Sequence, residues 1–164
     1  MQTLRELINV LPQSGAVEWL GVRPGRREAL TSLQEVMAEA DQGLAGDHYS
    51  KRGGKRQVTL IQAEHLQALG SLLGLAQIEP GTLRRNIVVS GINLLALKGK
   101  QFRMGEAVLA FTGLCHPCSR MEALLGPGGY NAMRGHGGIT AAVVTDGLIR
   151  LGDPVEFLPV KTSG

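Results

Sequence analysis

Residues 139–158 read ITAAVVTDGLIRLGDPVEFL. Two apolar, β-branched runs, 139–144 and 148–151, flank Asp146-Gly147, a pair that tolerates the positive φ of a tight two-residue turn. The spacing predicts a hairpin, with residues 154–158 as a last strand. Upstream, residues 86–89, 94–97 and 102–111 are candidate strands divided by Gly91 and Gly99. In the longest of these Ala107, Leu109 and Phe111 fall on one face at period two. Residues 57–62 and 15–22 (GAVEWLGV) supply two more. Three helical interruptions are expected. In residues 28–40 Leu33, Val36, Met37 and Ala40 recur at helical spacing before Gly43, and in residues 64–73 Leu66, Leu69, Leu72 and Leu73 do so before Gly74. The third helix opens at Ser119. Many short strands without a βαβ rhythm predict a mainly β fold: a barrel with a few peripheral helices.

At 164 residues the chain is the size of one domain and long enough to bury a core. No repeat, low-complexity tract or linker divides it. The expected organisation is an N-terminal extension 1–14, a single domain 15–160 and a tail 161–164. No apolar run approaches the ~18 residues of a membrane span. Leu4, Leu7, Ile8 and Leu11 are interrupted by Arg5, Glu6 and Asn9, which reads as an amphipathic extension rather than a signal peptide. The expected compartment is therefore the cytoplasm. A net charge of +3 argues only for affinity toward anions. Aromatic residues make up 4% of the chain, too few to furnish base-stacking platforms, so nucleic acid is not an expected partner.

The two cysteines stand together in Cys115-His116-Pro117-Cys118. Ser119-Arg120-Met121-Glu122 follows as a Ser-x-x-Glu capping box, which puts Cys118 just outside a helix N-terminus. Free N–H groups and the helix dipole there favour a thiolate, the nucleophilic and metal-binding form of sulfur. Four readings stay open. One is a buried apolar pair; a second is a redox dithiol, which wants a βαβ setting this chain does not show. A third is a zinc site using Cys115, His116, Cys118 and His136. The fourth is a single functional thiolate at Cys118, with Cys115 as bystander or resolving partner.

Between positions 126 and 138 (GPGGYNAMRGHGG) six of thirteen residues are glycine, so the backbone can approach a ligand closely. The loop matches neither GxxxxGK[ST] nor GxGxxG. His136 has no obvious apolar face to pack on, and a hydrogen-bonding role is as open to it as a ligand role. Arg23, Arg26 and Arg27 read as solvated surface. Lys51, Arg52, Lys55 and Arg56 form a second basic cluster. Arg84-Arg85-Asn86 abuts the apolar Ile87-Val88-Val89, and polar side chains fixed at a strand end can grip an anion. The residues thus reach an anion pocket beside a reactive cysteine and do not name the anion.

A set of ordered segments resembles the molybdenum-cofactor-sulfurase C-terminal (MOSC) family. They are residues 46–49 (GDHY), 56–61 (RQVTLI), 85–94 (RNIVVSGINL), 105–109 (GEAVL), 115–118 (CHPC), 135–138 (GHGG) and 152–155 (GDPV). The resemblance implies a MOSC-type β-barrel of the small stand-alone kind, a pocket associated with the molybdenum cofactor, and Cys118 as the functional thiol. It implies one of two roles: carrying sulfur received from a pyridoxal-phosphate-dependent cysteine desulfurase, or holding molybdenum on the cysteine and reducing N-hydroxylated compounds with a separate redox partner. Pyridoxal phosphate would belong to the partner. Under this reading Lys55, Arg56, Arg85 and Asn86 hold the cofactor's phosphate, and Gly135, Gly137 and Gly138 close over its rings. Cys118 ligates molybdenum or carries sulfur, and His136 positions a ligand or moves a proton. A non-enzymatic anion- or partner-binding module is the remaining alternative. The chain is expected to be a monomer.

Overall fold

Alternation of inward and outward side chains along short strands dictates most of what is observed. The computed structural model describes residues 1–159; position 160 and the expected tail 161–164 lie outside the described residues. Among the described residues there are eleven strands: β1 Gly15–Val22, β2 Thr31–Leu33, β3 Glu35–Glu39, β4 Gly43–Leu44, β5 Val58–Gln62, β6 Ile87–Ser90, β7 Gln101–Met104, β8 Ala107–Leu114, β9 Ile139–Thr145, β10 Gly147–Arg150 and β11 Pro154–Leu158. Four short helices accompany them: α1 Leu4–Leu7, α2 Ala63–Leu73, α3 Ser119–Leu125 and α4 Gly129–Met133.

The strands run β11-β7-β8-β9-β5-β6-β1, and the ring closes where the start of β1 meets β11 through Gly15↔Val155 and Ala16↔Pro154. The result is a closed seven-stranded barrel, an arrangement that leaves no exposed sheet edge within the ring. The far end of β1 pairs instead with β2. Strands β10, β3 and β4 form a separate small sheet. All barrel pairings are antiparallel except β5–β6. A parallel pair needs a long crossover, which α2 supplies, so the chain does contain one βαβ unit.

Two apolar clusters follow from this arrangement. Leu20, Leu60, Ile87, Val89, Phe102, Leu109 and Ile139 fill the barrel interior. Ile61 and Val88 point outward from β5 and β6 and pack under Leu66, Leu69, Leu83, Met121 and Met133. Strand β5 is therefore buried on both faces. Each fully buried Leu or Ile contributes ~1.5–3 kcal/mol, so this parallel pair is the energetic centre of the molecule.

Several expectations are corrected. Residues 28–40 are not a helix: they hold β2 and β3, in which Val36 and Ala38 are buried and Met37 is exposed. Residues 94–97 form a 3-10 turn, with Asn93 accepting a bond from Leu95 N. The stretch 102–111 is two strands, β7 and β8, turned at Gly105 (φ +59°). No β9–β10 hairpin exists. β9 pairs with β5 and β8, β10 pairs with β3, and Asp146 accepts a bond from Ala40 N.

Candidate functional site

Asn86, at the start of β6, fixes the local architecture. Its Oδ1 accepts from the Thr59 backbone N and Oγ1, both at 3.1 Å. Its Nδ2 donates to Gly21 O at 3.1 Å and Asp47 Oδ1 at 3.3 Å. One buried amide thus ties β1, β5, β6 and the loop after β4 together. Asp47, also buried, accepts from Arg23 N at 2.9 Å and Tyr49 N at 3.3 Å. The motif GDHY is therefore a loop clamp: Asp47 sets the path of residues 46–49 and presents Tyr49.

Around this frame lies a cavity of ≈ 400 Å³, within the range of small-molecule sites. Five arginines line it, Arg23, Arg56, Arg84, Arg85 and Arg120, together with Tyr49, His116 and Cys118. The one carboxylate in its wall, Asp47, has both oxygens engaged by the protein. The pocket is built for an anion.

The arginines differ in how much of them is free. Arg85 is 3% exposed and staples the fold. Its Nε donates to Gly137 O at 2.9 Å, Nη1 to Leu83 O at 2.9 Å and Nη2 to Cys115 O at 3.5 Å. Burial, opposed by the two nearby cysteine sulfurs, pulls its pKa down from the usual arginine value. Arg23 is 5% exposed and its guanidinium lies 4.6 Å from the Tyr49 ring centroid, a cation–π contact. Arg56 reaches the same ring at 5.9 Å. Arg23 Nε and Arg84 Nη2 are buried without any hydrogen-bond partner. Unmet buried donors cost ~1–3 kcal/mol each, and both belong to residues that line this cavity.

Cys118 is the N-cap residue of α3, in extended conformation, exposed, and its side chain makes no capping bond. The expected capping box does not form, and the N-cap falls one residue earlier than expected. Ser119 is the first helical residue, and the Glu122 carboxylate turns away to accept from Gly128 N at 2.7 Å and Tyr130 N at 2.8 Å. Those two bonds hold its pKa below the usual carboxylate value. Cys115 is buried at the end of β8. Its N–H donates to Gly138 O at 2.9 Å, and its Sγ accepts from Arg56 Nη2 at 3.5 Å.

The remaining expected site residues lie elsewhere. Lys55 and His136 do not line the arginine pocket. His136 sits with Nδ1 3.0 Å from Ala132 O, so Nδ1 carries the proton in that bond. Its ring packs edge-on against His65 at 5.0 Å. Burial, and then the charge of His136, lowers the pKa of His65. Gly135, Gly137 and Gly138 line a neighbouring, smaller cavity of ≈ 140 Å³ whose lining has His116 in common with the first and which also takes in Cys115. A Cβ on Gly137 would stand 2.1 Å from Cys115 O, and one on Gly138 1.9 Å from Leu60 O. The close approach these glycines permit is to the protein's own backbone. Among the described residues no three His, Cys, Asp or Glu side chains come together as metal ligands, so the four-ligand zinc arrangement is not assembled.

Sequence reasoning missed Tyr49 as a pocket residue and read Arg23 as solvated surface, whereas Arg84 belonged to the basic cluster expected to grip an anion. For Arg23 the available signal was its place directly after the first strand, and for Tyr49 its place in GDHY. Among the described residues no helix is long and apolar enough to cross a membrane.

Among curated proteins none matches this chain. Among solved structures it is similar to the YuaD protein from Bacillus subtilis, at a TM-score of 0.77 and 20% identity, covering 88% of this chain and 96% of that one. It is also similar to YiiM from Geobacillus stearothermophilus (TM-score 0.73, 18% identity, 91% and 77% covered) and YiiM from Escherichia coli (0.70, 20%, 91% and 71%). At these identities the likeness carries the fold and nothing finer. The family model of the MOSC domain matches residues 34–156, most of the chain and every strand from β3 to β10. The chain belongs to the MOSC domain family.

Proposed function

We propose that the arginine pocket holds the molybdenum cofactor by its phosphate, with Cys118 facing the bound group. One observation carries the reading: Arg23 and Arg84, which line the same cavity as Cys118, each carry a buried donor without a partner, Nε and Nη2. A phosphate oxygen satisfies such donors through charge-assisted bonds. A soft thiolate suits a soft metal. The donor set and the cavity size therefore fit the group with which this family is associated. When bound, the cofactor supplies molybdenum redox chemistry of the kind that reduces N-hydroxylated compounds.

The chain's own residues then divide the work. Arg23 and Arg84 take the phosphate, and Arg56 and Arg120 add positive charge at the open side. Arg85 and Asn86 hold the frame, since Asn86 has no polar side-chain atom left over; Arg85 keeps hydrogens on Nη1 and Nη2 beyond its staple bonds and can add to the phosphate contacts. Titration calorimetry with inorganic phosphate and with a pterin monophosphate tests this. Wild type should bind the pterin monophosphate more tightly, and Arg23→Met or Arg84→Gly should weaken both ligands about tenfold, the loss of one charge-assisted bond. Equal affinity in all three proteins would sink the reading.

A second reading, sulfur carriage on Cys118, is favoured by the exposure of that thiol and its lack of any hydrogen bond, which leave it open to a partner desulfurase. Supplying a cysteine desulfurase and cysteine should add one sulfur to Cys118, seen by peptide mass, and none to Cys118→Ser.

A further inference from the structure

The neighbouring thiol of Cys115 has no part in the reading above, yet its setting is unusual. The sulfur is 2% exposed in residue terms and accepts a hydrogen bond from Arg56, a residue that also lines the Cys118 pocket. Its backbone is locked on both sides, N–H to Gly138 O and carbonyl to Arg85 Nη2. Cys118, three residues on, is the opposite: exposed, extended, flanked by exposed Ser119 and Arg120, and followed by a helix of only seven residues.

We propose that Cys115 is the resolving thiol for Cys118, so that the two form a dithiol–disulfide exchange centre. Three peptide units place their Cα atoms at most about 10 Å apart, and a disulfide needs about 5.5–6 Å. Closing the bond requires the exposed Cys118 end to move toward the anchored Cys115. The chemistry balances without an added oxidant beyond a small disulfide. The Cys118 thiolate attacks glutathione disulfide, the S–S bond breaks and one glutathione leaves as thiolate. The Cys115 thiolate then attacks Cys118 Sγ, the mixed S–S bond breaks and the second glutathione leaves. The protein pair has lost two electrons and two protons, and the glutathione disulfide has gained them. A sulfane sulfur on Cys118 would be expelled by the same attack as hydrosulfide. The proposal stands whether or not Cys118 serves a cofactor.

The test treats the full chain with glutathione disulfide, quenches with an alkylating agent, and follows intact mass and peptide maps. Wild type should finish as an intramolecular Cys115–Cys118 disulfide with both glutathiones released. Cys115→Ser and Cys115→Ala should instead keep a stable glutathione adduct on Cys118. The alanine variant guards against a misfolded serine variant, and both should retain the wild-type circular dichroism spectrum. A wild-type adduct on Cys118 as long-lived as that of the variants, or a disulfide joining two chains, would overturn the proposal.

Discussion

Arg84 sits at φ +64°, in the left-handed region that costs a side chain about 1–2 kcal/mol and glycine almost nothing. The same residue carries one of the two unpartnered buried nitrogens. The proposed phosphate contact would offset both the strain and the unmet donor in this one residue. Arg84→Gly should therefore raise stability by about 1 kcal/mol, read as a higher denaturant midpoint at unchanged slope, while phosphate affinity falls. A variant that loses both stability and affinity would show that Arg84 holds the fold rather than a ligand. At this scale the sequence was partly legible. Cys118 and the 84–86 cluster could be singled out because a thiol beside a cap and basic residues at a strand start have few structural uses. What Arg85 and Asn86 do could not be read, because all but one of their partners, Gly137, Thr59, Gly21 and Asp47, are distant in sequence.

Among the elements, the α3–α4 corner was misread most instructively. Ser-x-x-Glu placed Glu122 in a capping box, yet its carboxylate joins α3 to the backbone of α4 instead. A carboxyl whose folded pKa is depressed stabilises the fold above its unfolded value, here 4.5. That contribution is lost as pH falls through the lower folded value. The protection factors of the Gly128 and Tyr130 amides, taken against the intrinsic exchange rate at each pH, should thus be high at neutral pH and fall as pH drops below 4.5. Glu122→Gln should abolish that pH dependence, and an unchanged profile in Glu122→Gln would contradict the assignment. Elsewhere α2 was legible from its leucine spacing over eleven residues. Residues 28–40 were not, because Leu33, Val36, Met37 and Ala40 suit a helix while the pairing of β3 with β10 selects the alternate pattern of Val36 and Ala38. Tertiary pairing overrides local spacing in such short runs.

For the whole molecule, a barrel of short strands was legible from their number and spacing, and its closure was not. Gly147 illustrates why. It was read as a turn residue, but a Cβ there would stand 2.2 Å from the Glu106 carbonyl carbon, so glycine is demanded by packing across chain segments some forty residues apart. Gly138 makes the same point at the seam of β5, β8 and β9. Its φ is +87° and a Cβ would lie 1.9 Å from Leu60 O. Gly138→Ala should cost about 3 kcal/mol or more, whereas Gly135→Ala, where a Cβ meets nothing within 4 Å, should cost about 1 kcal/mol for its backbone conformation alone. Chemical denaturation of the two variants checks this, and equal losses would contradict the packing account.

The central claim, that the barrel presents one anion pocket with a thiol facing it for a molybdenum-bearing ligand, is tested most directly by metal and pterin analysis of protein expressed in a host that makes the cofactor. The account predicts molybdenum and pterin together in wild type, molybdenum lost in Cys118→Ser, and both lost in a combined Arg23→Met, Arg84→Gly variant that still folds. Wild-type protein free of both, purified from such a host, would contradict it.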